Sequence, residues 1–171
     1  MRKFILIIFL SLVSLSLAQA QSDSKVKWMS FEEAVKLNET NPKPIFIDVY
    51  AVWCGPCKQM DRLTFNNDEV AKILNEKFHP VKFDAESKEP IKFGEYTYVF
   101  DSKNKVHQLA IALLQGKMAY PSVVYMSEEN QLLNVVPGLY LPKDIKPMLM
   151  FFGDGHYKTI SWNDYMAKAS K

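Results

Sequence analysis

The 171-residue chain has two cysteines, Cys54 and Cys57, with only Gly55-Pro56 between them. A thiol reacts as its thiolate, so the surroundings of such a pair decide whether it does chemistry. The preceding run, Ile45 to Ala51, is nearly all apolar and reads as a strand buried on both faces. Pro56 fits the first turn of a helix, where its missing N–H costs nothing. The pair therefore sits where strand becomes helix. There, unpaired backbone N–H groups and the positive end of the helix dipole stabilise a Cys54 thiolate, and Cys57, one turn later, shares its face. Cys54 is expected to attack a partner disulfide and Cys57 to resolve the mixed disulfide. A purely structural bridge over so short a loop would constrain little of the unfolded chain. Half of a zinc site is the competing reading. Zinc usually takes four N or S ligands, however, no second cysteine pair exists, and His79, His107 and His156 are scattered. No metal and no cofactor beyond the cysteines is expected.

At the N-terminus, Arg2 and Lys3 precede an apolar run from Phe4 to Leu17 and the small-residue pattern Ala18-Gln19-Ala20. This predicts a secretory signal peptide over residues 1–20, cut near Ala20. The run is shorter than the roughly 20 residues of a membrane span. No cysteine near the cut offers a lipid anchor. Losing Arg2 and Lys3 takes 21 basic and 19 acidic residues to 19 of each, so the mature chain carries no basic footprint for nucleic acid. Residues 21–171 suit one exported domain, periplasmic or secreted, with a real core.

The elements around the motif follow from local signals. Val26 to Trp28 is read as a short strand, and Ser30 and Glu33 form a capping box for a helix to about Asn38. Asn67 and Asp68 cap a helix carrying Val70, Ile73 and Leu74, and Val81 to Ala85 is the next strand. Ile91 to Phe100 alternates around Gly94-Glu95 as a hairpin. Val106 to Leu114 has helical spacing ending at Gly116. Ser122 to Met126 and Leu132 to Val136 form an antiparallel pair. A helix from about Lys143 to Phe152 carries Pro147 as a kink or late start, and Ser161 caps a last helix. The alternation is that of an α/β fold.

The stretch Asp48-Val49-Tyr50-Ala51-Val52-Trp53-Cys54-Gly55-Pro56-Cys57-Lys58 resembles the active-site strand, loop and helix of the thioredoxin superfamily. The resemblance runs from about Ile45 to Phe152 and implies a thioredoxin-like fold: a central mixed sheet of four or five strands flanked by helices. Residues 86–118 would be an insertion before the strand that follows a cis-proline, matched here by Tyr120-Pro121. It also implies that Asp48 is a buried acid handling the proton of Cys57, with Lys82 beside it. Substrate contact would fall to Trp53, Gly55, Pro56, Tyr120, Pro121 and Gly138. Val52 departs from the acid frequent in thioredoxin, and Tyr120 from its aliphatic residue.

The expected function is thiol-disulfide exchange on exported proteins, in the reducing direction that Gly55-Pro56 resembles. The partners would be protein thiol or disulfide substrates and a thiol electron donor or acceptor, membrane-bound in an envelope setting, with the chain itself a monomer. An isomerase or oxidase is the enzymatic alternative, and a non-catalytic thioredoxin-fold binding module the other.

Overall fold

A computed structural model describes residues 24–169, so the expected signal peptide lies outside the described residues. In chain order the elements are α1 (Phe31–Leu37), β1 (Ile45–Tyr50), α2 (Gly55–Met60), a π-helical turn (Asp61–Phe65), α3 (Asp68–Lys77), β2 (His79–Asp84), β3 (Ile91–Phe93), β4 (Tyr96–Tyr98), β5 (Phe100–Asp101), β6 (Val106–His107), α4 (Gln108–Leu113), β7 (Ser122–Met126), β8 (Leu132–Pro137), α5 (Pro142–Gly153), a 3-10 turn (His156–Lys158) and α6 (Trp162–Ala169). The main sheet runs β2-β1-β7-β8, with β1 parallel to β2 and antiparallel to β7.

Strand β1 is central, and its period of two divides the core. Ile45, Ile47 and Val49 face one side and pack with Phe31, Val81, Phe83, Leu109 and Leu113. Phe46 faces the other, where α2, the π-helical turn, α3 and α5 supply Met60, Phe65, Val70, Leu74, Ile145 and Leu149. The rings of Phe65, Phe78 and Tyr125 lie 5.6–6.0 Å from the Phe46 ring, each steeply inclined to it. Helices thus cover both faces of a mixed sheet.

Caps set several helix starts. Ser30 and Glu33 close the expected box on α1, Asn67 Oδ1 accepts from the N–H groups of Glu69 and Val70, and Ser161 Oγ accepts from Asp164 N–H. Other expectations give way to local bonding. Val26 to Trp28 is not a strand: Lys27 N–H donates to Asn75 Oδ1 and Trp28 N–H turns back to Val26, leaving Met29 as an isolated bridge to Val81. The expected hairpin stops at Tyr98 because Phe100 and Asp101 pair with His107 and Val106 instead. Helix α4 consequently starts at Gln108, two residues late, capped by His107 Nδ1 accepting from Leu109 N–H. Pro147 lies inside α5 and does not delay its start, which Pro142 provides in the first turn.

The insertion joins the main core through Ile91, Val106, Leu109, Ala110, Leu113 and Leu114. His107 anchors it: the ring is fully buried, and Nδ1 accepts from Leu109, so Nε2–H donates to the Glu89 carbonyl at 3.0 Å. Burial pushes the imidazole pKa down, which keeps it neutral in that bonded form.

Phe46→Ala tests the helix-covered face. Removing the ring at a 0% exposed position should cost about 3–5 kcal/mol in urea unfolding. A loss under about 1 kcal/mol would mean that the four-ring cluster is not a packing centre.

Candidate active site

Cys54 is the N-cap of α2, and its Sγ accepts from the Cys57 N–H at 3.1 Å. The sulfur thus lies against the open amide end of the helix, where negative charge is stabilised. The two cysteines form a disulfide, Cα to Cα 5.3 Å, and each is only 3% exposed. Around them the surface is open and apolar: Val52 is 61% and Trp53 66% exposed. Gly55 and Pro56 are exposed beside the pair, and a Cβ at Gly55 would meet open space. Trp53 is fixed at both ends. Its Nε1–H donates to Glu86 Oε1 at 2.9 Å, and its ring meets Tyr120 edge-on at 6.0 Å.

Asp48 follows Phe46 in the strand pleat and so faces the side of the sheet that α2 covers. The parallel register places Lys82 opposite it, with Nζ 2.7 Å from Asp48 Oδ2. The other oxygen, Oδ1, is buried and has no hydrogen-bond partner among the described residues. Burial raises the Asp48 pKa to about 6, partly offset by the Lys82 charge. This is a carboxyl that exchanges its proton near neutrality. Lys82 lies on an edge strand, yet its side chain is only 20% exposed. Its ammonium also pairs with Asp61 Oδ1 and lies over the rings of Tyr50, Trp28 and Phe65 at 4.9, 5.3 and 5.5 Å. Burial works against its charge, but the two carboxylates hold its pKa above the ordinary value.

The Tyr120–Pro121 peptide is cis and lies just before β7. Pro121 accepts through its carbonyl from Gly138 N–H at 2.8 Å, and Ser122 Oγ donates to the Ala119 carbonyl at 2.7 Å. Gly138 has φ +111°, a conformation that L side chains rarely adopt. Tyr120 packs against the cysteine cluster with Ala51 and Tyr50. The structure therefore brings Tyr120 to the cysteine cluster with Trp53 against its ring, ties Pro121 to Gly138 by a main-chain bond, and pairs Asp48 with Lys82 across β1 and β2.

Two residues of this arrangement were not foreseen. Asp61, four residues after Cys57, carries a readable signal, since positions i and i+4 share a helix face. Glu86 carried none, because its approach to Trp53 depends on the path of the insertion. Of the histidines, His79 donates through Nε2–H to the Asn41 carbonyl at 2.8 Å, and His107 is the buried anchor described above. Among the described residues, no group of three His, Cys, Asp or Glu side chains is placed to hold a metal.

Known proteins with similar sequences include the thiol:disulfide interchange protein DsbD of Campylobacter jejuni, 38% identical over 72 residues, 42% of this chain and 13% of that protein. Thioredoxin Y of Oryza sativa chloroplasts is 37% identical over 62 residues, 36% of this chain and 35% of that one. The chain spans less than two thirds of the length of the first curated relatives it matches. A thioredoxin-fold protein from Helicobacter pylori superposes with a TM-score of 0.57 at 20% identity, covering 86% of this chain and 85% of its own, a likeness of fold alone. With the mixed sheet, the cysteine pair and the cis-proline in place, and with a family profile matching residues 11–154, the chain belongs to the thioredoxin-like Thioredox_DsbH family, described as a protein of unknown function, DUF255.

Proposed function

We propose that the chain is an exported protein-disulfide reductase working through a Cys54–Cys57 dithiol-disulfide cycle. The observation that carries this reading is the Cys54 sulfur at the amide end of α2 in disulfide with Cys57, the helix that bears them packing on the sheet face to which Asp48 belongs. Family membership sets the general class, a thioredoxin-like disulfide oxidoreductase.

In the reduced protein, the Cys54 thiolate attacks one sulfur of a client disulfide, and the other client sulfur leaves as a thiolate. Cys57 must then lose its proton to attack Cys54. Asp48 takes that proton in this reading, and Lys82 stabilises the carboxylate until it does. The Cys57 thiolate expels the client's second thiolate, leaving the client reduced by two electrons and the pair oxidised. A thiol donor restores the dithiol by the same exchange in reverse, and no further cofactor enters. Client main chain would align along the backbone of Tyr120 at the cis-proline, between Trp53 and Gly138. Export rests on the signal-peptide pattern of residues 1–20, and N-terminal sequencing of secreted material should begin near Gln21.

Direction is tested by the reduction potential. Equilibrated with a thiol buffer, the pair should settle near about −270 mV, the reducing end of the family range. A value near about −120 mV would replace the reductase with an oxidase or isomerase. A Cys57→Ser variant should accumulate mixed disulfides through Cys54. Failure to trap any client in the export compartment, together with no insulin reduction by the native pair, would leave a binding module instead.

Asp48→Asn separates a working acid from a structural one. The folded carboxyl holds its proton more tightly than an unfolded one, so ionising it opposes folding. That penalty grows as pH rises from about 4, is complete above about 6, and vanishes when both states are protonated. The variant should therefore be more stable than the native oxidised protein by about 3 kcal/mol at pH 8 and equal to it below about pH 4. Its resolution of mixed disulfides should slow by about a hundredfold. Loss of stability at pH 8 with unchanged resolution would assign Asp48 to packing.

A further inference from the structure

The ammonium of Lys82 is enclosed. Asp48 Oδ2 is 2.7 Å away, Asp61 Oδ1 pairs with it from the opposite element, and the faces of Tyr50, Trp28 and Phe65 stand within 5.5 Å. Trp28 is itself pinned edge-on to Phe65 at 5.0 Å, and the Lys82 backbone N–H donates to the Met29 carbonyl. An ammonium has three N–H donors, so one each to the two carboxylates leaves one among the rings. The lysine cannot turn wholly to Asp48 without abandoning Asp61. Nor can it leave without stripping its charge from three ring faces. Asp61 differs from Asp48 in its setting: its side chain is 41% exposed, whereas that of Asp48 is 2% exposed. It opens the π-helical turn that continues α2, so the helix bearing the cysteines also carries this second carboxylate. π-helical turns are frequent at functional sites.

We propose that Asp61 is a positioning residue for the proton step at Asp48, holding the Lys82 ammonium between two carboxylates so that Asp48 is not locked as its permanent ion partner. This rests on the reading of Asp48 as the acceptor of the Cys57 proton. The electrostatics agree in sign: Lys82 favours the Asp48 carboxylate and Asp61 opposes it. The other groups facing the pair are Tyr50 of β1, whose pKa is raised by burial and then by Asp84, Asp48 and Asp61, and the apolar Val123 of β7. Cys57 of α2 titrates only after reduction, so the oxidised protein isolates the carboxyl.

The test is an NMR titration of the Asp48 carboxyl carbon in the oxidised chain. In Asp61→Asn, which keeps the shape of the side chain, the midpoint should fall by about one pH unit because the caged lysine now serves Asp48 alone. Asp61→Glu should restore it, and Lys82→Met should move it the other way, upward. An unchanged midpoint in Asp61→Asn overturns the proposal. So does a rise like that of Lys82→Met, which would make Asp61 a mere anchor for the lysine. This readout needs neither client nor turnover. If the midpoint falls while the pH limb of mixed-disulfide resolution stays in place, charge sharing is upheld and Asp48 loses its role as proton acceptor.

Discussion

A carboxyl group on the middle strand of a sheet, covered on its own face by a helix, is an expensive thing to bury, and Asp48 is tolerated because Lys82 is brought to it. That requirement reaches far into the fold. The two residues meet only if β1 and β2 pair in parallel with the observed register, since a shift by one residue would send Lys82 to the opposite face. The lysine in turn needs the rings of Trp28 and Phe65, one from the segment before α1 and one from the π-helical turn after α2. Elements separated along the chain are thereby tied to one charge. The cysteines gain from the same arrangement, because the helix that presents them also closes over the pair.

Much of this site is local and hence readable from the chain. The change from the apolar run at Ile45 to Pro56 marks a strand passing into a helix, and the cysteine spacing puts both sulfurs on one face. Punctuation of the same kind puts Pro121 directly before the strand Ser122–Met126 and Gly138 after the second strand of that hairpin, while their place at the site is what the resemblance to thioredoxins implies. What escaped depends on side chains meeting across the fold. Trp28 has the sequence of a strand residue, because nothing in Val26 to Met29 signals the bond from Lys27 N–H to Asn75 Oδ1. The second hairpin of the insertion escaped for a similar reason: Phe100 continues the alternation of the first, and only pairing with His107 draws it away. The π-helical turn has no composition that distinguishes it from the helix before it.

The site combines two kinds of environment within a few residues. The disulfide lies under an open apolar surface formed by Val52 and Trp53, suited to passing contact with another protein. Asp48 lies in the dry interior, where a charge acts strongly on its neighbours. In the proposed reductase the surface that would meet a client is thus separate from the carboxyl that would take the proton, so each can be shaped without spoiling the other. Val52, where an acid is frequent in thioredoxin, alters only the outer part.

The insertion is knitted to this arrangement by main-chain bonds. Ala85 N–H donates to the Tyr50 carbonyl at the end of β1, and the Ala85 carbonyl accepts from His107 N–H, which places the buried imidazole one hydrogen-bonded step from the loop that leads to the cysteines. Between those anchors, Glu86 reaches Trp53. Tolerance to changes in length is therefore uneven along the insertion. The tips at Gly94-Glu95 and at residues 102–105 lie outside these bonds and can lengthen or shorten freely, whereas one residue added between Ala85 and Glu89 would displace the tryptophan wall. A segment that looks like an appendage in the chain is, mechanically, the post on which the tryptophan beside the disulfide is hung.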